Sequence, residues 1–254
     1  MSLGQHLVEL RNRLLISAAA VLLFAIGGFV VSNFVIDQIQ APLTAVAKST
    51  GSTANLNFSG VGSAFDVRLQ IAIVIGVIVA SPIWLYQLFA FLVPGLTKKE
   101  KRYTFGFFFS AVPLFLAGCV CGWLVFPHIV QVLNSFVPEG TLNLVKAKEY
   151  LGFVLKLVLA IGIAFVLPVF LVLLNFVGVL SGRGIIKSWR WAIIAIFVFC
   201  AIATPSADVG SMFLLAAPMV VLYLLAAGIS IWHDRVVRRR TEALSADLGG
   251  AAAA

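Results

Sequence analysis

Six long apolar blocks, separated by short polar segments, constrain the fold of this chain more than any other feature of its sequence. Crossing about 30 Å of hydrocarbon takes roughly 20 apolar residues in a helix. The run from Ile71 to Ala80 is apolar at successive positions, which excludes the alternation expected of strands in a membrane β-barrel. A mean hydropathy of +1.08 and 61% hydrophobic residues exceed the values of a soluble domain. The sequence therefore predicts an all-α integral membrane protein.

The six blocks predict six transmembrane helices in a single domain that spans residues 1–235. The expected helices cover about 14–34, 67–93, 103–130, 150–180, 189–204 and 209–232. The last two are expected to be short, because the apolar part of the fifth covers only about 21 Å at 1.5 Å per residue. A locally thin bilayer would accommodate it. Residues 236–254 are expected to form a cytoplasmic tail, basic at first and then flexible.

Lys and Arg are distributed unevenly among the polar segments. With six spans and a cytoplasmic N-terminus, the inside segments 1–13, 94–104, 181–190 and 233–254 hold 13 of the 18 Lys and Arg residues. This asymmetry follows the positive-inside rule and predicts that both termini are cytoplasmic. Contact with anionic lipid head groups explains the net charge of +8, so a nucleic-acid partner is not expected.

Prolines within the apolar blocks predict bent helices and a concave bundle. These are Pro82, Pro113, Pro168 and Pro218, and each removes a backbone hydrogen-bond donor from its helix. Pro42 differs from them, because it is expected to begin the first outside loop with a turn.

Two carboxylates in the predicted inside segments are candidates for binding. Glu9 shares a helix face with His6 and Arg13, at spacings of three and four, and the simpler interpretation is an internal ion pair. Glu100 is the single acid among four bases in 94–104, and the simpler interpretation of residues 97–100 is a capping box. Either carboxylate can still accept a guanidinium, which binds carboxylates bidentately.

Two further polar residues have plain structural interpretations. Asp208 is typical of an N-cap or first-turn acid of the last helix. Gln87 is typical of a membrane-interface residue unless it faces a groove.

Taken together, these stretches resemble the TatC family, the polytopic receptor of the twin-arginine protein export pathway. The resemblance covers about residues 5–235. Its strongest part is the stretch 81–96, which continues into 100–102. The other matching stretches are 6–14, 41–43, 150–153, Thr204-Pro205, Asp208 and Pro218. It implies a six-helix, glove-shaped bundle whose concave face opens laterally to lipid.

The resemblance also implies a function and a set of site residues. Members of the family recognise the paired arginines in signal peptides of folded cargo, at the cytoplasmic face of a bacterial or archaeal cytoplasmic membrane. They form hetero-oligomers with single-span TatA and TatB proteins and use the proton motive force. By resemblance, the signal-peptide site would contain Glu9, Glu100, Phe91, Arg11, Pro94 and Leu96. Other functionally sensitive positions would be His6, Pro42, Asp208 and Gln87.

The chain departs from the family at two positions. An acid is common just before the proline of helix four and again in helix six, whereas this chain has Val166 and Leu224 there. A polar patch for partner docking in the concavity is therefore not expected at these places.

The alternative function is a small-solute or ion secondary transporter, and a third hypothesis is an intramembrane enzyme. Both need polar or charged groups at mid-membrane, and the helix centres offer almost none. Nucleotide-binding, zinc-protease and Ser/His/Asp motifs are also missing from the sequence. We therefore expect neither enzymatic activity nor a cofactor or metal.

Overall fold

The computed structural model describes residues 3–49, 54–58, 60, 62–92, 98–135, 143–203 and 209–253. Its elements are α1 (Leu3–Ser49), β1 (Ala54–Asn57), α2 (Ser63–Val79), α3 (Ser81–Leu92), α4 (Lys98–Ser135), β2 (Asn143–Lys146), α5 (Ala147–Phe176), α6 (Gly182–Lys187), α7 (Trp189–Ala203) and α8 (Val209–Ala253). The described chain is thus almost entirely helical, as the sequence predicts.

Four helices of the described ranges are long and apolar enough to cross a membrane, namely α1, α4, α5 and α8. The pair α2 and α3 makes a fifth crossing if the two are counted as one bent span. The apolar part of α7, Trp189–Ile202, is shorter. This set is compatible with the six predicted spans, including a fifth span too short for an unperturbed bilayer.

The first helix continues well past the predicted turn at Pro42, so that prediction is wrong. Pro42 lies inside α1, which ends at Ser49. The flanking Ile39 and Leu43 are buried, at 0% and 3% exposure, and the hydroxyl of Tyr150 donates to the Ile39 carbonyl over 2.9 Å. These contacts offset the hydrogen bond that a helical proline removes.

The predicted second helix is two helices rather than one. A 60° bend separates α2 from α3, and the break falls at Ala80, directly before Ser81 and Pro82. Proline suits the first turn of a helix, where its missing N–H costs nothing, but it disrupts a helix interior. The indole of Trp84 donates to the Val77 carbonyl over 2.9 Å, which satisfies an acceptor near the broken end.

A small sheet joins two segments that the sequence predicts only as loops. Strand β1 pairs with β2 in parallel, with Ala54 opposite Asn143 and Asn57 opposite Lys146. Beside it, Lys148 and Asp66 form an ion pair of 2.8 Å between α5 and α2. We call this the sheet end of the bundle.

The opposite end, which we call the Glu9 end, collects the start of α1 and the α5–α6 connection. Helices α4 and α5 pack antiparallel, so Phe107 near the start of α4 contacts Phe176 at the end of α5, with ring centroids 5.0 Å apart. The ring of His233 on α8 stacks on Phe176 at 3.8 Å. Phe89 on α3 stacks on Phe170 near the end of α5 at 4.8 Å, and Phe91, two residues later, contacts His6 of α1. The N-terminal residues therefore lie at the same end as His233 of α8.

The final helix is longer than predicted. Helix α8 continues from Val209 to Ala253, whereas the predicted last helix ends at about residue 232. Alanine and arginine, which are frequent in this segment, have high helix propensity.

Candidate functional site

The start of α1 packs against the last turns of α3. The imidazole of His6 stacks on the ring of Phe91, with centroids 4.3 Å apart and planes 19° apart. Both side chains are half-buried. This contact fixes one wall of a shallow site at the Glu9 end.

A chain of polar contacts runs from Glu9 to α3 beside this stack. Arg13 donates to Oε1 of Glu9 from Nη2 over 2.7 Å and from Nε over 3.0 Å. Its Nη1 donates to Oε1 of Gln87 over 3.0 Å. The side chains of Glu9 and Arg13 are 22% and 25% exposed, so water screens the pair only in part. Arg13 thus binds the Glu9 carboxylate and links α1 to α3.

A cavity of about 150 Å³ lies against these groups. It is lined by Leu10, Arg13, Leu14, Ser17, Trp84, Gln87, Leu88 and Phe91. Most of this lining is apolar, and the polar atoms of Arg13 and Gln87 lie on one side. The site can therefore hold an apolar segment next to a carboxylate that already binds a guanidinium.

Four of the residues predicted from the sequence come together here: His6, Glu9, Gln87 and Phe91. Arg11 is exposed, and among the described residues its side chain bonds only to Asn12, over 3.3 Å. The interpretation of Glu9 as half of an internal ion pair is correct.

The other predicted site residues lie apart from this cavity or outside the described residues. Pro42 is near the sheet end of α1. Glu100 is the third residue of α4, and the structure describes its backbone but not its side chain. The remaining predicted positions, Pro94, Leu96 and Asp208, lie outside the described residues, as does the capping role of Thr97.

Sequence reasoning missed Arg13 as a site residue, although its spacing of four from Glu9 was noted. The missing information was its contact with Gln87, since the two residues are 74 positions apart. The described residues contain no group of three His, Cys, Asp or Glu side chains placed to hold a metal ion.

The sequence matches, over residues 5–218, the profile of a family described as Sec-independent protein translocase protein (TatC). The chain belongs to the TatC family. This confirms the family and the part in Sec-independent protein translocation that the sequence predicts. The TatC of Xylanimonas cellulosilytica is 44% identical over 95% of this chain and 87% of its own length. The TatCy of Bacillus subtilis is 32% identical over 97% and 93%.

Solved structures agree with this membership. Two crystal structures of the twin-arginine translocase receptor TatC, one of them in DDM, are similar to this chain with TM-scores of 0.71 and 0.75. Each is 29% identical and covers 89% of this chain, with 97% and 99% of the respective receptor chain matched. The all-α membrane fold of the TatC family is thereby confirmed.

The two departures from the TatC family pattern fall in different environments. Val166 is buried in α5, at 3% exposure, whereas Leu224 on α8 is 50% exposed. An acid at the first position would face the bundle, and one at the second would face lipid. This TatC-family chain therefore has apolar side chains at both positions, one buried inside the bundle and one on its surface.

A second polar cluster ties α6 to α8 at the same end of this TatC-family bundle. Asp234 accepts from the Asn175 side chain over 2.8 Å and from the Gly182 N–H over 2.6 Å. The hydroxyl of Tyr223 donates to the Ile185 carbonyl over 2.6 Å. A Cβ on Gly182 would lie 2.7 Å from the backbone of α8, so glycine permits this close approach.

Proposed function

We propose that the Glu9 end of this protein binds the twin-arginine signal peptide of folded cargo. The observation that carries the proposal is the Arg13–Glu9 contact: the carboxylate already holds a guanidinium, as it would hold an arginine of the peptide. Both hydrogen bonds go to Oε1. Among the described residues Oε2 of Glu9 has no hydrogen-bond partner, which leaves an acceptor for an incoming arginine.

The apolar cavity supports the same assignment. A signal peptide continues beyond its arginines into an apolar stretch, and the cavity beside Arg13 is lined by Leu10, Leu14 and Phe91. Glu100 lies in the first turn of α4, where the positive end of the helix dipole stabilises a carboxylate. We place it in the same site as the acceptor of the second arginine, together with Arg11, Pro94 and Leu96.

The rest of the proposal concerns orientation and partners. The Glu9 end faces the cytoplasm, since the inside segments rich in Lys and Arg gather there. The lipid-exposed faces of α1 and α8 offer docking surfaces for single-span TatA- and TatB-like proteins in a hetero-oligomer. The protein acts as a receptor and scaffold driven by the proton motive force, without a chemical step or a bound cofactor.

Signal-peptide binding to the purified protein tests the site. A fluorescent peptide with the arginine pair is titrated against the unmodified protein, Glu9→Gln and Glu100→Gln, each isosteric and without charge. Glu149→Gln, an exposed acid near the sheet end, is the matched control. We expect each of the first two changes to weaken binding about ten-fold or more, as for a lost charge-assisted hydrogen bond.

A peptide with two lysines in place of the arginines completes the design. It should bind weakly to the unmodified protein and lose little further affinity in the variants, because lysine lacks the bidentate fork. Equal affinity of the arginine peptide for the unmodified protein and for both Glu9→Gln and Glu100→Gln would refute the site.

A further inference from the structure

A second and larger groove opens at the Glu9 end of the bundle, away from the Glu9 cavity. Its volume is about 320 Å³. Helix α5 contributes Leu167, Pro168 and Leu171, and α7 and α8 contribute Ala192, Ile196 and Tyr223. The lining is nearly all apolar, as expected of a surface that meets hydrocarbon.

The groove runs from the α6–α7 junction into the membrane. Ser188 at the junction and Ile196 on α7 both line it, and eight residues of helix span about 12 Å. The indole of Trp191 lies at its mouth, and tryptophan is typical of the head-group level. The groove therefore starts among head groups and ends among acyl chains.

A stripe of positive charge borders this mouth. Arg183 and Lys187 lie on α6, and Arg190 lies at the start of α7. Each is the chain neighbour of a residue that lines the groove, namely Gly184, Ser188 and Trp191. All three cations are exposed, and no ion pair between them and an acid occurs among the described residues. The Arg190 guanidinium lies 5.6 Å from the ring centroid of Trp189.

We propose that this groove is a binding site for one anionic phospholipid. The phosphate sits at the stripe of Arg183, Lys187 and Arg190, and an acyl chain occupies the apolar groove. Basic pockets between membrane helices at one surface recognise anionic head groups in this way. The inference is independent of signal-peptide recognition, because none of its residues belongs to the Glu9 cavity.

The charge at the mouth of the groove favours a phospholipid over a partner's helix. A partner's helix would need acidic residues at this level to match Arg183, Lys187 and Arg190, whereas an anionic phospholipid carries its phosphate there. A flexible acyl chain fills an irregular channel, and the phosphate of the same lipid supplies a negative partner for the three cations.

Native mass spectrometry of the full-length protein tests the proposal. Phosphatidylglycerol or phosphatidylcholine is added to the detergent-solubilised protein, and bound lipids are counted. The triple change Arg183→Gln, Lys187→Gln and Arg190→Gln should lower phosphatidylglycerol occupancy at least about five-fold and leave phosphatidylcholine unchanged.

The control for charge is the triple change Arg235→Gln, Arg238→Gln and Arg239→Gln, which removes the same charge from α8. It should leave phosphatidylglycerol occupancy unchanged. Equal losses in the two triple variants would show diffuse attraction by net charge and would overturn the site.

The groove itself is tested by filling it. Ala192→Phe should displace the acyl chain, whereas Ala217→Phe, on an exposed position of α8, should not. Undiminished occupancy in a folded Ala192→Phe variant would refute the groove as the acyl site.

Photolabelling of the unmodified protein tests the site without depending on whether a variant folds. Phosphatidylglycerol with a photoreactive acyl chain should form adducts concentrated on 164–171 and 188–196. Adducts spread evenly over all lipid-exposed helices would overturn the proposal. So would photocrosslinks from position 192, in membranes, that reach only a polypeptide partner and no lipid.

Discussion

Arg13 on α1 donates a hydrogen bond of 3.0 Å to the side-chain oxygen of Gln87 on α3. The same guanidinium binds Glu9, so a single side chain contacts both the carboxylate and the neighbouring helix α3. An arginine from a signal peptide that takes over Glu9 would therefore also act on the link between α1 and α3.

Gln87→Met tests this link. It removes the acceptor on α3 while leaving the Arg13–Glu9 pair in place. We expect signal-peptide affinity to fall about three- to ten-fold, the effect of one hydrogen bond of roughly 1 kcal/mol. Fluorescence anisotropy with a labelled peptide measures it. Asn33→Ala, a change at an exposed position further along α1, should leave affinity unchanged, and a matching loss in both variants would contradict the role of Gln87.

The stack of His6 on Phe91 predicts energetic coupling between these two residues. A double-mutant cycle with His6→Ala and Phe91→Ala should give a coupling of about 0.5–1.5 kcal/mol in signal-peptide binding, the range found for aromatic pairs. Phe91→Tyr keeps the ring and should bind nearly as well as the unmodified protein. Additive effects of the two alanine changes would show that the stack has no role in binding.

Asp234 should matter more to stability than Asp66, although both are acids that contact another helix. Asp234→Ala leaves the Gly182 N–H without its acceptor and the Asn175 amide with the Leu180 carbonyl alone, at a cost of about 1–3 kcal/mol. Asp66→Ala breaks an ion pair whose side chains are 50% and 62% exposed, which is worth about 0–1 kcal/mol. Thermal aggregation in detergent, followed by size-exclusion chromatography, compares them. A larger loss for Asp66→Ala would refute this ranking.

Close packing of α1 on α2 depends on Gly76. A Cβ there would lie 2.5 Å from the Val21 carbonyl oxygen, whereas nothing lies within 4 Å of a Cβ on Gly27. Gly76→Ala should therefore destabilise the protein by about 1–3 kcal/mol, and Gly27→Ala should be neutral or slightly stabilising because alanine favours the helix. The same thermal assay applies, and equal midpoints for the two variants would disprove the contact.

Cysteine labelling tests the orientation of the bundle. In a background in which the native cysteines are replaced by alanine, cysteines at Asn12 and Arg239 should be protected from an impermeant maleimide added outside intact cells. A cysteine at Lys148, at the sheet end, should react. We expect this pattern because the first two positions share the Glu9 end, which carries most of the Lys and Arg. Labelling of Arg239→Cys from outside would reverse the assignment.

The candidate site shows how far sequence reasoning reached. Of the residues predicted from the sequence, Gln87 and Phe91 line one cavity. His6 and Glu9 contact that lining through Phe91 and Arg13. Whether these residues bind signal peptides stays a prediction. Sequence reasoning also selected Arg11, which the structure leaves exposed. A helical spacing alone cannot tell which residue of a neighbouring helix a side chain will meet. The Arg13–Gln87 bond spans 74 positions, so only the packing of α1 on α3 reveals it.

The sequence by itself determined that this protein is a helical membrane protein of the TatC family, and it predicts that the basic residues gather on one side of the membrane. Insertion into a bilayer depends on the length of the apolar segments and on the placement of the charged residues. Both can be taken directly from the sequence without knowledge of tertiary contacts. Only the tertiary structure decided the continuation of α1 through Pro42, the break between α2 and α3, the pairing of β1 with β2, and the bonds of Asp234. Each depends on contacts between residues far apart in the chain, and those contacts outweigh the local preferences on which sequence reasoning relies.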